Sequence, residues 1–269
     1  MEAALEERVK RIATDDRHGA SWLAREAVNA VVAAVEAGED PLSLARELVR
    51  ARPGMGAIAG ALGRVLAAGR TPEQVIEEAH ALLAGRERAA KAIAVLLRER
   101  LTGTVMTHSA SATAREALLH ARPDRVVCTV SEPVGEGRTF FEELLAEGLT
   151  AELVADSDAT QAVRSVGLLL LGADTVFRDG SLVNKVGTRE LTKAAHEAGV
   201  PVVIACEVLK VSPSDPGKPD DERFDLTPPE QIDRIVTEEG EFAPDEIAAL
   251  VDRTPFLREG YALLSGESR

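Results

Sequence analysis

The chain has 269 residues and a mass of 28.6 kDa, with 31 basic against 45 acidic side chains and a net charge of −14. That balance argues against a passive binder of the nucleic-acid backbone, which needs a basic surface, though it leaves room for a local basic pocket. Aromatic residues are 3%, too few for a base-stacking platform, while hydrophobic residues at 45% suffice for a large core in one large domain or two small ones.

The first hundred residues read as helix throughout, dominated by Ala, Leu, Glu and Arg. Leu5, Val9 and Ile12 recur at helical spacing. Residues 21–36 form a second helix closed by Gly38, and Asp40-Pro41 opens a third, with an N-cap followed by proline at the first helical position. The run RPGMG (residues 52–56) interrupts the pattern, residues 57–68 resume it, and Thr71-Pro72-Glu73 starts a last helix pair reaching about Glu99. From Thr102 the period changes. Strands are predicted at 103–107, 125–130, 151–155, 168–171 and 201–206, and helices at 110–120, 139–147, 159–166 and 187–198. This alternation predicts an α/β chain: an N-terminal helical domain over residues 1–100, then a Rossmann-like parallel sheet with helices on both faces over residues 101–269. Residues 212–222, rich in proline and charge, read as an exposed loop. Further on, Ile232, Ile235 and Val236, with Leu250 and Val251, suggest a helical dimer surface or a helix packed on its own sheet.

Cys128 and Cys206 are too few for a disulfide framework and are expected to be reduced thiols. The N-terminal stretch is charged and has no apolar signal-peptide core, and no apolar run is long enough to span a bilayer. A cytoplasmic protein is expected, with no membrane contact and no direct nucleic-acid binding. No Cys/His cluster has zinc-ligand spacing, and the GxGxxG, GxxxxGK[ST] and GxSxG signatures are absent.

In an open parallel sheet the ligand sits beyond the carboxyl ends of the strands. There the sequence places THSAS (residues 107–111), GAD (residues 172–174) and, leading into a helix, Asn184-Lys185-Val186-Gly187-Thr188. A helix N-terminus beside Lys185 and Asn184 can cradle a phosphate. Asp174 can exchange a proton with a sugar hydroxyl or ring oxygen. The structural alternatives are a plain helix cap at Gly187-Thr188, an Asx turn at Asp174 and a hydrogen-bonded structural imidazole at His108.

The order of residues in GADTVFRDGSLVNKVGT (residues 172–188) resembles the signature of the translation initiation factor 2B alpha/beta/delta-related superfamily. That group includes two aldose–ketose isomerases, acting on methylthioribose-1-phosphate and ribose-1,5-bisphosphate. Supporting matches are DRHGA (16–20), Arg52-Pro53, THSAS (107–111), CEVLK (206–210), FDLTPPE (224–230) and IVTEEG (235–240). The resemblance implies a pocket between the two domains, a homodimer or an oligomer of related subunits, and no metal or other cofactor. It implies a catalytic role for Asp174 and ligand contacts from Gly19, Ala20, Arg52, Asn184 and Lys185, with Ser109 at the second catalytic position and His108 a further ligand contact in the segment after the first strand. The ligand implied is a phosphorylated ribose or nucleotide.

Two departures bear on chemistry. The isomerases carry a catalytic Cys directly after the Thr-His pair, where this chain has Ser109. An alcohol does not supply the anion a thiol can without a strong base beside it. The arginine of an E-[ST]-R-P segment is replaced in VSEP (130–133) by Glu132, with Arg138 as a partial substitute. The sequence therefore favours a ligand-binding protein without full isomerase chemistry. An isomerase relying on Asp174 is the alternative, and an assembly subunit with a vestigial pocket the third.

Overall fold

A computed structural model of the chain describes residues 3–15, 18–69, 71–217, 219 and 221–266. Asp16 and Arg17 of the DRHGA match lie outside the described residues.

Five helices come first: α1 (Ala3–Thr14), α2 (Ala20–Glu36), α3 (Pro41–Ala51), α4 (Gly56–Ala68) and α5 (Pro72–Leu97). The Asp40 side chain accepts from the amides of Leu42 and Ser43, with Pro41 at the first helical position. Thr71 and Gln74 exchange the two bonds of a capping box at the start of α5. The expected helix pair after Thr71 is instead this single 26-residue helix. It passes through Gly85, whose cost of about 1 kcal/mol is outweighed by packing at both ends. Val75, Ala79 and Leu82 sit in the core of the helical region, and Ile93, Ala94 and Leu97 in the core against the sheet.

The sheet strands are β1 (Thr104–Thr107), β2 (Arg125–Thr129), β3 (Ala151–Val154), β4 (Leu168–Leu171), β7 (Val202–Ala205), β9 (Arg234–Thr237) and β10 (Gly240–Phe242), in spatial order β10-β9-β7-β4-β1-β2-β3. All pairings are parallel except β10 with β9. Alternation sends Met106, Leu169, Leu171, Val202 and Ile204 to one face, and Val105, Leu168, Leu170, Val203 and Ala205 to the other. The first face is covered by α8 (Asp156–Ala162), α9 (Thr188–Glu197) and α10 (Ile247–Arg253), the second by α5, α6 (Ala112–Ala121) and α7 (Glu136–Ala146). This is the doubly wound arrangement predicted from the β-α alternation. A short three-stranded antiparallel sheet is added, in the order β5 (Thr175–Val176), β6 (Leu182–Lys185), β8 (Phe224–Thr227). It was not foreseen: β5 has two residues, and these antiparallel strands lie outside the β-α alternation that marks the main sheet.

The chain turns one way from β1 to β2 and the other way to β4, so the switch point lies between β1 and β4. Above it, α4 joins the helical region to the sheet. The amide of Gly56 donates to Thr175 Oγ1 at 2.6 Å, and that hydroxyl donates to the carbonyl of Gly54 at 2.8 Å. Gly60 lies against the backbone of Leu209, where a Cβ would fall 1.9 Å from the carbonyl oxygen. The last helix, α11 (Pro255–Ser265), returns to cross α4 at Gly63 and Gly260 with similar closeness.

The apolar set near the C-terminus takes a different form from the helical surface considered above. Ile235 and Val236 lie in β9, Leu250 and Val251 in α10, and all four, with Ile232, are buried within the chain's own core. Their alternation serves two sheet faces, so these side chains are not a dimer surface. The loop expected at 212–222 is exposed at residues 214–217 but starts buried: Ser212 donates its amide to the carbonyl of Val176. Lys218 and Asp220 lie outside the described residues.

Candidate functional site

A cavity of about 200 Å³ opens at the switch point between the helical region and the sheet. Its lining includes the end of β1 (His108 to Ser111), the end of β4 (Gly172, Ala173, Asp174), Asn184 and Lys185 from β6, Gly19 and Ala20 at the start of α2, and Arg52 at the end of α3. The fold thus brings Asp174, Ser109, His108, Gly19, Ala20, Arg52, Asn184 and Lys185 to one cavity. Five further lining residues matter chemically: Glu136, Lys210, Arg223, Trp22 and His18.

Asp174 follows β4 and is held by its amide, which donates to the carbonyl of Val183 at 3.0 Å. Its carboxyl has no hydrogen bond or ion pair to any described residue. Burial pushes its pKa up from the ordinary carboxylate range; Lys210, Lys185 and Arg52 oppose that rise and Glu136 adds to it. Such a carboxyl can hold a proton and return it.

Lys210 is 5% exposed, and its ammonium has no hydrogen bond or ion pair to any described residue. It ends the short 3₁₀ turn Val208–Lys210 beyond β7, brought close by the missing side chain at Gly60. A buried, unpaired ammonium facing a cavity is costly unless an anion joins it. The same cavity is lined by the start of α2, which has no side-chain cap. Its first backbone N–H groups give the cavity the character of a helix-terminus anion site.

Arg52 is buried and anchored. Its Nε donates to the carbonyl of Ile12 at 3.0 Å, and one Nη to the carbonyl of Asp15. It therefore ties the end of α1 to the cavity rim. Arg223 pairs with Asp221 at 2.5 Å, and that contact holds the Asp221 carboxyl below its usual range.

Ser109 sits at φ 64° after β1. Its hydroxyl donates to Glu136 Oε1 at 2.7 Å, and Glu136 Oε2 accepts from Lys185 Nζ at 3.0 Å. Glu136 is the first residue of α7, at the positive end of the helix dipole. The base beside Ser109 is thus Glu136 rather than His108.

His108 has both ring nitrogens committed to protein. Nε2 lies 2.9 Å from the carbonyl of Val186, which can only accept, so Nε2 carries the proton. Burial pushes its pKa down, favouring the neutral ring. Nδ1 then accepts from Thr129 Oγ1 at 2.7 Å; Thr129 accepts from Ser131 Oγ at 2.8 Å, and Ser131 accepts from the amide of Ser109 at 2.8 Å. The structural alternative for this histidine matches the geometry.

Two sequence expectations differ in detail. The N-terminus of α9 at Gly187-Thr188 is not an open phosphate cradle. Asp225 of β8 caps it, accepting from the amides of Gly187 at 2.8 Å and Arg189 at 3.2 Å, because β8 pairs with β6 and delivers its carboxylate there. Burial raises the Asp225 carboxyl to about 6 despite those bonds. Glu132 and Arg138 face solvent and each other at 4.0 Å, outside the cavity, so neither repels nor replaces a charge there. Cys128 and Cys206 are buried and absent from the lining, with thiols pushed up to about 12 by burial. Neither can stand in for a missing site thiol. Among the described residues no cluster of His, Cys, Asp and Glu could hold a metal, and no helix is long and apolar enough to cross a membrane.

Fold and cavity together define a class: α/β proteins with a helical N-terminal region, a doubly wound sheet and a polar, cation-lined cavity at the switch point between them. Residues 17–222 match the model of the Initiation factor 2 subunit family, and the chain belongs to that family. It is 30% identical over 211 residues to the ribose 1,5-bisphosphate isomerase of Haloferax volcanii, spanning 66% of this chain and 65% of that one. The protein of the same name from Archaeoglobus fulgidus is 28% identical, over 99% of this chain and 97% of its own. The crystal structure of translation initiation factor eIF-2B from Pyrococcus horikoshii superposes with a TM-score of 0.81 at 26% identity, covering 91% of this chain and 98% of that one.

Proposed function

We propose that this protein binds a phosphorylated sugar or nucleotide in the cavity between its helical region and its sheet, without full isomerase chemistry, as a homodimer or an oligomer of related subunits. The observation that carries the reading is Lys210, a buried ammonium with no hydrogen bond or ion pair to any described residue, in a lining that also holds the uncapped start of α2. A bound anion supplies the missing partner of the ammonium, and the start of the helix offers the cavity further donors. Asp174 and Asn184 supply hydrogen-bonding groups for sugar hydroxyls, and Arg52 adds positive charge at the rim. The absence of a site thiol argues against turnover by the chemistry of the isomerases that the sequence resembles. Ser109 holds its proton toward Glu136, and a carboxylate is too weak a base to leave an alkoxide behind.

Phosphorus NMR with a panel of 1-phosphorylated riboses, ribose 1,5-bisphosphate and AMP tests the reading. Shifts or broadening without a product resonance are expected, and Lys210→Ala should abolish them. Spectra unchanged by the protein at millimolar concentration refute it. The isomerase reading draws support from Asp174, whose unpaired carboxyl with a raised pKa suits proton transfer during ring opening. A new ketose-phosphate resonance that disappears in Asp174→Asn would establish that reading instead. The oligomer is tested by light scattering, where a concentration-independent monomer refutes it.

A further inference from the structure

The two halves of the anion site come from separate parts of the fold: the start of α2 belongs to the helical region, and Lys210 to the turn beyond β7. Outside the cavity lining, the middle of α5 touches both. Leu82 of that helix lies in the core of the helical region and Ile93 in the core against the sheet, so Arg86 falls at the junction of the two. Its guanidinium uses every nitrogen. Nε and Nη2 each donate to one oxygen of Glu207 at 3.0 Å, and Nη1 donates to the backbone carbonyl of Ser21 at 2.5 Å. The pair is largely removed from water, with the Arg86 side chain 15% and the Glu207 side chain 7% exposed. Glu207 directly precedes the turn, and its carbonyl accepts from the amide of Lys210 at 2.9 Å. Just past β9, Glu238 accepts from the amide of Val208 at 2.9 Å. One side chain thus holds the second residue of α2 with one nitrogen and the foot of the Lys210 turn with the other two.

We infer that Arg86 is a positioning residue: it sets the spacing between the start of α2 and Lys210, and with it the affinity of the cavity for an anion. The inference rests on the reading of the cavity as a phosphosugar site. A guanidinium is planar and its N–H groups point in fixed directions, so bonds from one fork to two separate segments leave little freedom in their spacing. Stability alone does not call for such a pair, because a buried ion pair replaced by apolar side chains of similar volume is often neutral or more stable. What apolar packing does not supply is direction. Neither Arg86 nor Glu207 lines the cavity, so both act on a ligand from behind the groups that meet it.

The test is calorimetric titration of the full chain with inorganic phosphate and ribose 1,5-bisphosphate, together with hydrogen exchange of the unliganded protein read by mass spectrometry. Two variants are compared with the wild type at a temperature where their melting curves show them folded. Arg86→Lys keeps the charge and most of the stem but loses the fork. Arg86→Met combined with Glu207→Met removes both charges at once and should melt no lower than Arg86→Met alone, which leaves a buried carboxylate unpaired. Both variants are expected to bind at least about tenfold more weakly than the wild type, the share of one hydrogen bond to a charged group. Both should also exchange faster over residues 20–25 and 207–211, with exchange in β1 and β4 unchanged. A purely stabilising ion pair predicts instead that the double variant regains affinity along with stability. Wild-type affinity in either folded variant overturns the inference, and so does unchanged exchange over either segment. If Arg86→Lys does not fold, the double variant decides by the same readings. A wild type that binds neither probe removes the phosphosugar reading and the inference with it. Wild-type binding that both variants keep removes only the inference.

Discussion

Two glycines in two helices provide a matched perturbation whose opposite signs follow from geometry. Gly60→Ala in α4 places a Cβ 1.9 Å from the Leu209 carbonyl oxygen and 2.9 Å from its carbon. Both are backbone atoms, so no rotamer change relieves the clash, and the helix must retreat from the 3₁₀ turn by roughly 1 Å. Overpacking of this kind costs 1–3 kcal/mol, and a backbone-on-backbone contact belongs near about 3. Alanine regains about 1 kcal/mol of helix propensity, leaving a net loss of about 2 kcal/mol. Gly85→Ala in α5 makes the same chemical change, but its Cβ meets only the tip of Arg88 at 3.7 Å. It should therefore stabilise by about 0.5–1 kcal/mol. Guanidinium denaturation of both variants and the wild type in one buffer reads the difference. If Gly60→Ala is as stable as the wild type, or moves in the same direction as Gly85→Ala, the close approach of α4 to Leu209 is refuted. Because Lys210 follows Leu209, Gly60→Ala should also weaken phosphosugar binding.

Further expectations concern the titrating groups. Both thiols, pushed up to about 12, should resist iodoacetamide at pH 8 in the folded protein and react only after denaturation; mass spectrometry of either alkylated cysteine under native conditions contradicts their burial. Asp225 is raised to about 6 in the folded state against an ordinary value near 3.9 in the unfolded one, so the folded state binds its proton more tightly. Its contribution should therefore favour folding as pH falls from about 6 toward 4, the reverse of a salt-bridged aspartate. Asp225→Asn should flatten that part of the stability profile, and denaturation curves at pH 4 and 6.5 that differ equally in variant and wild type would exclude this role.

The main architecture was readable because β-α alternation is a global pattern with few topological solutions. The central strands β4 and β7 carried continuous apolar runs, as at Leu168 to Leu171, buried on both faces. Elements whose periodicity is too short to register were harder. β5 has two residues, and the alternation at Ile232, Ile235 and Val236 mimics helical spacing when only three positions are compared. The strand-end rule gathered most of the cavity lining, and applied after β2 and β7 it would also have reached Glu136 and Lys210. These two escaped because their significance lies in partners. Lys210 matters for lacking any among the described residues, and Glu136 for joining Ser109 to Lys185, relations that depend on where α4 and α7 begin. The cradle at Gly187-Thr188 was misread for the same reason: its occupant, Asp225, arrives from 38 residues downstream.

The hydrogen-bonded run from the Ser109 amide through Ser131 and Thr129 to His108 and the Val186 carbonyl has a fixed polarity. Its first donor is a peptide N–H and its last acceptor a peptide oxygen, and neither can change places. Between those fixed ends the two hydroxyls and the imidazole all run in one donor-to-acceptor direction. It works as a ruler, holding the ends of β1 and β2 and the close of β6 at a set spacing. Adjustment to an arriving ligand then falls to the helical side of the cavity, where Arg52 is held to the end of α1 through the carbonyls of Ile12 and Asp15.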